Sequence, residues 1–317
     1  MSMAGTDDAS ELIVERQAHV TRLSLNRGER GNALSPALVQ AISAALEVAH
    51  EDGTRLLVIG SARGHFCTGL DLSDLDAQTD DTLLARAVRI ELMLQQLHTA
   101  PFATLALASG RVMGAGADLF AACESRWIVG RATFAFPGAG FGLVLGTARL
   151  AALVGPERAC QWVGTGSAID ADAALHANFA SARYTVEETP SAVQGLADSM
   201  LRLDLVTHAA IRRASLERGE AGLAADLAAL VTSAARPGLK TRIDDGSVSL
   251  NEAQRRREQS EDKSIGKEIA AKAGAESAGI PAYEITVKDA GQAGLPPRMG
   301  ITPNAKTDAA VHTIPDD

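Results

Sequence analysis

The chain has 317 residues, 46% of them apolar, and a formal net charge of −9. That length can bury a substantial core, as one large domain with an appendage or as two modest domains. The acidic balance argues against a nucleic-acid partner, no apolar run approaches a bilayer span, and the polar, acidic start from Met1 to Asp8 resembles neither a signal nor a transit peptide, so a cytoplasmic protein with no membrane partner is expected.

Residues 11–25 alternate loosely, with Leu12 and Val14 and then Val20, Leu23 and Leu25, and read as two short strands. Ser35-Pro36 opens a helix, because Ser caps free N–H groups and Pro suits the first helical position. Leu38, Val39, Ile42, Leu46 and Ala49 give that helix an apolar stripe. A strand at 56–59 follows, then a glycine turn, an amphipathic helix over 81–98 and a strand at 102–108. A second glycine turn leads into a short helix from 114 to 123, and strands are expected at 126–130 and 133–136. Strands alternating with helices indicate an α/β fold. From 157 the pattern is helical, over 157–163, 170–177, 188–202, 205–217 and 220–231, until Pro237-Gly238 ends it. The expected organisation is a flexible stretch at 1–10, a core at 11–180, a helical region at 181–247 and a tail at 248–317. The tail is charged and poor in apolar residues, so it is expected to be disordered, with a transient helix near 262–273; a small appended domain is the alternative.

The three cysteines, Cys67, Cys123 and Cys160, have no Cys-x-x-Cys spacing and no His at metal-ligand spacing, so neither a metal site nor a disulfide framework is expected. Cys67 reads as a small buried filler. The two glycine turns carry the chemistry. Each of His65 to Leu72 and Ser109 to Leu119 follows an apolar strand and places glycines where the backbone turns sharply. Such turns aim peptide N–H groups outward, and two that converge can hold a developing negative charge. A phosphate loop of the Gly-x-Gly-x-x-Gly kind does not fit glycines at 110, 114 and 116.

In order along the chain, Asn32-Ala33-Leu34-Ser35, Phe66 to Leu72, Ser109 to Leu119 and the stretch from Phe134-Ala135-Phe136-Pro137 to Arg149-Leu150 resemble the landmarks of the crotonase superfamily, the enoyl-CoA hydratase/isomerase group. The resemblance implies a spiral of ββα repeats with a helical C-terminal region that assembles trimers or dimers of trimers. It also implies an acyl-CoA thioester substrate, with no cofactor beyond the coenzyme A that the substrate carries. By carry-over, the backbone N–H groups of Leu70 and Ala115 form an oxyanion hole and Asp118 supplies the first catalytic carboxylate. The resemblance places Asn32, Ala33, Gly69, Asp71, Gly114 and Gly116 around the thioester and its coenzyme A. Arg27 and Arg30 stand near its phosphates, with Arg63 as a further cation, although a solvated surface loop explains these arginines equally well. Independently, Ala115 falls in the first turn of a helix, where unpaired N–H groups favour an anion.

The chain departs from the pattern in three places. Asp118 stands where hydratases of the family commonly have Glu, one methylene longer. Gly138 occupies the place of the second carboxylate, and the loop from Gly142 to Leu150 is short. Two-acid hydration is therefore in doubt. Double-bond isomerisation, hydration by other means, thioester hydrolysis or decarboxylation, and a non-catalytic binder with a decayed site all remain open. Other acid–base candidates are His65, His98, Asp71, Asp74 and Glu91, of which His98 reads as a helix C-terminal charge with no function. Asn178-Phe179-Ala180 replaces the family's usual Gly-Leu-Val.

Overall fold

The computed structural model describes residues 10–216 and 219–248, together with the short strands Tyr283–Ile285 and Ile301–Pro303. Strands β1 (Leu12–Gln17) and β2 (Val20–Leu25) form an antiparallel hairpin. Strands β3 (Leu56–Ser61), β4 (Ala103–Met113) and β5 (Ser125–Ala135) then add in parallel, so the sheet runs β1-β2-β3-β4-β5. The crossover from β2 to β3 is α1 (Pro36–Glu51), where Leu38 N–H donates to Ser35 Oγ at 3.0 Å as the capping pattern predicts. The crossover from β3 to β4 is α2 (Asp80–His98), and that from β4 to β5 is the short α3 (Ala115–Ala122). This is the expected α/β spiral, in which each parallel strand is reached through a helix.

Several boundaries differ from the sequence reading. The two strands expected at 126–130 and 133–136 are one, because β5 pairs with β4 on both sides of an irregularity at Ala108/Gly110 and turns at Gly130 (φ 67°) without leaving the sheet. The segment read as an active-site loop contains a 3-10 turn, Pro137–Phe141, and a helix α4, Thr147–Val154. Beyond it lie α5 (Pro156–Thr165), β6 (Ile169–Asp170), α6 (Ala171–His176), β7 (Ala182–Tyr184), α7 (Thr189–Met200), α8 (Leu205–Ser215) and α9 (Gly219–Ala234). The strands β6 and β7 both pair with β5. Helical structure also resumes over 239–248, past the Pro237-Gly238 break that was expected to end it.

The core lies between the sheet and α1 to α6. Its aromatic residues gather beneath the two turns: Phe120 lies 6.2 Å from Phe66, 5.1 Å from Phe134 and 5.3 Å from Phe179, centroid to centroid. Phe179 also meets Phe136 and Trp162, so the departure at Asn178-Phe179-Ala180 fills the cluster that supports α3. The chain divides into two compact units at Leu250/Asn251. In the second, β8 (Tyr283–Ile285) pairs antiparallel with β9 (Ile301–Pro303), a pairing the reading of a disordered tail did not contain. The rest of that tail, its expected helix near 262–273 and the stretch 1–9 lie outside the described residues.

Candidate active site

The first turn is fastened on both sides. Phe66 N–H donates to Ser109 O and Met113 N–H to Cys67 O, each at 2.9 Å, so residues 66–67 run alongside the end of β4. On the other side Leu34 N–H donates to Gly69 O at 2.7 Å, and Asp71 N–H to Leu34 O at 3.3 Å. That bridge uses the residues before and after Leu70 and leaves the Leu70 N–H out of it. Gly69 has φ 99°, and a Cβ there would stand 2.8 Å from Met113 O and 3.5 Å from Ala115 N. The first turn therefore passes directly over the start of α3.

The second turn is set by Gly114 (φ 52°, ψ −127°), whose N–H donates to Ala135 O at 2.9 Å. Its carbonyl accepts Ala117 N–H at 2.8 Å and Asp118 N–H at 3.1 Å, which starts the helix. Ala115 is the first helical residue, so its N–H has no acceptor inside α3. Gly116 packs face to face with the first turn, since any Cβ on it would overlap the Cys67 carbonyl. Two N–H groups that the local hydrogen bonding leaves out, those of Leu70 and Ala115, thus belong to adjoining turns.

Asp118 lies one turn further along α3 and is 3% exposed. Its Oδ1 is buried with no hydrogen-bond partner, and Gly146 (φ 63°) closes over that oxygen so tightly that a Cβ there would overlap it. Burial pushes the Asp118 carboxyl up to about 8; the nearby Arg149 guanidinium opposes this and Glu91 reinforces it. A carboxyl poised near neutrality, unpaired and desolvated, is suited to giving and taking protons.

Asn32 is fully buried and ties the first turn down: its Oδ1 accepts Arg27 N–H at 2.7 Å, and its Nδ2 donates to His65 O at 2.6 Å and Arg63 O at 3.2 Å. Arg27 is engaged with Glu11 and Asp71, both at 2.8 Å, and donates to Ala33 O at 2.6 Å. Asp71 also accepts Ser73 N–H at 3.0 Å, and Arg27 and these hydrogen bonds hold its carboxyl below the usual range despite the opposing pull of burial. Arg30 and Arg63 are exposed at the same end. His65 accepts Arg111 N–H at 3.2 Å under the Gly110 bulge. Asp74 pairs with Arg86 at the surface. Cys67 is buried, and desolvation pushes its thiol up to about 12, an inert filler. His98 corrects its reading: burial, with Arg149 and Arg212 nearby, pulls it down to about 4, so the ring is neutral rather than a helix-end cation.

At Gly138 there is no side chain, and a Cβ there would have only Leu143 O, 4.0 Å away, within reach. The adjoining Ala139, Leu143 and Val144 line an open pocket of about 570 Å³, bordered on its other side by Val163 of α5 and by Ala228 and Thr232 of α9. The sequence reading weighed Glu91 without placing it and gave Arg149 no charge role. Both are buried against Asp118's helix, where Arg149 Nη1 and Nη2 meet Glu91 Oε1 and Oε2 at 2.8 and 2.6 Å. The available signal was a glutamate within the otherwise apolar stripe Leu83, Ala87, Ile90, Leu94 of α2.

Comparison with known proteins agrees with this architecture. Residues 15–238 match the sequence profile of the enoyl-CoA hydratase/isomerase family. The chain is 32% identical over 225 residues to the 2,3-dehydroadipyl-CoA hydratase of Escherichia coli, covering 69% of this chain and 87% of that one. It is also 32% identical over 160 residues to an enoyl-CoA isomerase/hydratase of Penicillium crustosum, a match to 48% of this chain and 18% of that longer protein. A Bordetella parapertussis crystal structure assigned as an enoyl-CoA hydratase/isomerase superposes with a TM-score of 0.72 at 41% identity, over 74% of this chain and 97% of that one. With the spiral, both turns and an acid on α3 in place, the chain belongs to the enoyl-CoA hydratase/isomerase family, of crotonase fold.

Proposed function

We propose that this protein moves a double bond within an acyl-CoA thioester, using Asp118 as a single proton-transfer group. The thioester oxygen would accept hydrogen bonds from Leu70 N–H and Ala115 N–H, which stabilise the enolate formed when a proton leaves the carbon beside the carbonyl. Asp118 would take that proton from C2 of a 3-enoyl thioester and return it to C4, giving the 2-enoyl isomer with no net gain or loss of atoms. Two-acid hydration needs a second carboxylate to hold and activate the water, and Gly138 offers none. The observation that carries the reading is Asp118 itself: buried, unpaired at Oδ1 and raised to about 8, beside the two glycine turns.

Coenzyme A is polyanionic, and Arg30 and Arg63 are the exposed cations beside the first turn, whereas Arg27 is occupied by Glu11 and Asp71. Asn32, Ala33, Gly69, Gly114 and Gly116 then act by shaping the turns. No metal or redox group is needed for this step.

The test is a panel of 2-enoyl-, 3-enoyl-, 3-hydroxyacyl- and malonyl-type CoA esters incubated in deuterated water and followed by mass spectrometry. Conversion of the 3-enoyl ester with deuterium incorporation, reduced about 10³-fold in Asp118→Asn, is the expected result. Reaction of the malonyl-type or 3-hydroxyacyl ester instead would assign decarboxylation or hydration. If every ester binds in calorimetry and returns unchanged, the protein is a binder and the proposal fails.

A further inference from the structure

We propose that Glu91 is a positioning residue that keeps Arg149 away from Asp118, leaving the Asp118 carboxyl without a cationic partner so that it can carry a proton. The proposal rests on Asp118 being the proton-transfer group. A guanidinium presents a rigid fork of donors that pairs most strongly with a carboxylate taken two-on-two. Here the fork faces Glu91, at 2.8 and 2.6 Å, and Asp118 Oδ1 receives no donor although the same guanidinium is close enough to act on its charge. Arg149 Nε is likewise buried and without an acceptor.

Glu91 is itself held in place. Gln95 Nε2 donates to Glu91 Oε1 at 2.8 Å and to Leu223 O at 2.9 Å, which links α2 to α9. The other charged or titratable groups around Arg149 are Asp226 of α9 at 3.9 Å, and His98 of α2, whose carbonyl accepts from Arg212 of α8 at 2.8 Å. His98 is neutral and so does not compensate for a lost carboxylate. A buried ion pair is weak as a source of stability, because desolvation offsets its attraction. Two charges sealed beside a buried, unpaired acid therefore call for a role in its chemistry.

If Glu91 loses its charge, Arg149 turns its attraction on Asp118 and favours the ionised carboxylate. If Arg149 loses its charge, Glu91 repels that carboxylate and favours the protonated form. The two substitutions thus act in opposite directions, which a merely structural role does not produce. The experiment is carbon-13 NMR titration of the full-length, ligand-free protein labelled at aspartate carboxyls, with the Asp118 signal identified by its absence in Asp118→Asn. Because it needs no turnover, it stands even if the CoA-ester panel shows none.

Glu91→Gln is expected to lower the Asp118 midpoint by about one pH unit or more, a tenfold change in proton affinity, and Arg149→Met to raise it. The double variant Glu91→Gln/Arg149→Met is expected to titrate close to the wild type. Glu91→Gln is nearly isosteric, so it and the double variant carry the test if Arg149→Met does not fold. A midpoint unmoved or raised by Glu91→Gln in folded protein, or single and double variants shifting together, would overturn the proposal.

Discussion

The two glycine turns and the loop over Pro137–Gly146 flank the same carboxylate, yet they use glycine for different reasons. In the turns a side chain is sterically forbidden: a Cβ on Gly69 would crowd Met113 O, and one on Gly116 would overlap the Cys67 carbonyl. In the loop, Gly138 has only one atom at the limit of contact and Gly140 has none, whereas Gly142, where a Cβ would stand 3.0 Å from Arg242 Nε, and Gly146, against Asp118, are confined. The turns are therefore fixed by backbone geometry, whereas position 138 could hold a larger side chain. The lack of a carboxyl at position 138 is thus not imposed by packing.

The largest effect that would sharpen this contrast belongs to the turns. Gly116→Val should cost about 3 kcal/mol or more, because α3 must separate from the first turn or the backbone must move. For a domain of this size that is a fall in melting temperature of about 10 °C, measurable by calorimetry. A variant that melts like the wild type would show that the turns are not closely packed.

A smaller structural effect, with a larger chemical one, is expected in the loop. Gly138→Glu should change stability by less than about 1 kcal/mol and add hydration of a 2-enoyl-CoA, because it supplies the second carboxylate that two-acid hydration requires. Product analysis that finds isomerised ester and no 3-hydroxyacyl-CoA from this variant would show that more than the side chain is lacking. Gly140→Ala should be the mildest, within about 0.5 kcal/mol in a denaturant titration.

The turns were legible because their signals are local: an apolar strand, then glycines at fixed offsets, then a helix start. Ser35 and Pro36 announced α1 in the same way. What the sequence hid depends on partners distant along the chain. Arg27 reads as a free cation until Glu11 and Asp71 are brought to it, the latter 44 residues away. Glu91 and Arg149 are separated by 58 residues, so their pairing has no local signature. Gly130 looks like a strand end, yet β5 continues through it because β4 supplies partners on both sides. The helix α4 falls in the stretch that the family resemblance marks as active-site loop; Gly142 and Gly146 before it both take the left-handed conformation just outside helical turns. Asp118 was found by position alone, and its unpaired oxygen and raised proton affinity required the fold.

The central claim is that a single buried acid with an affinity near neutrality moves the proton. Burial raises Asp118 to about 8, so in the free protein it is protonated below that pH and becomes a base above it. The decisive measurement is kcat/KM for conversion of a 3-enoyl-CoA to its 2-enoyl isomer from pH 6 to 9.5, in the wild type and in Asp118→Asn. The wild type is expected to show a tenfold rise per pH unit that levels off near pH 8, and the variant a residual rate without that rise. A wild-type rate that is flat or falls across this range, or an Asp118→Asn variant that keeps the full rate, would contradict it.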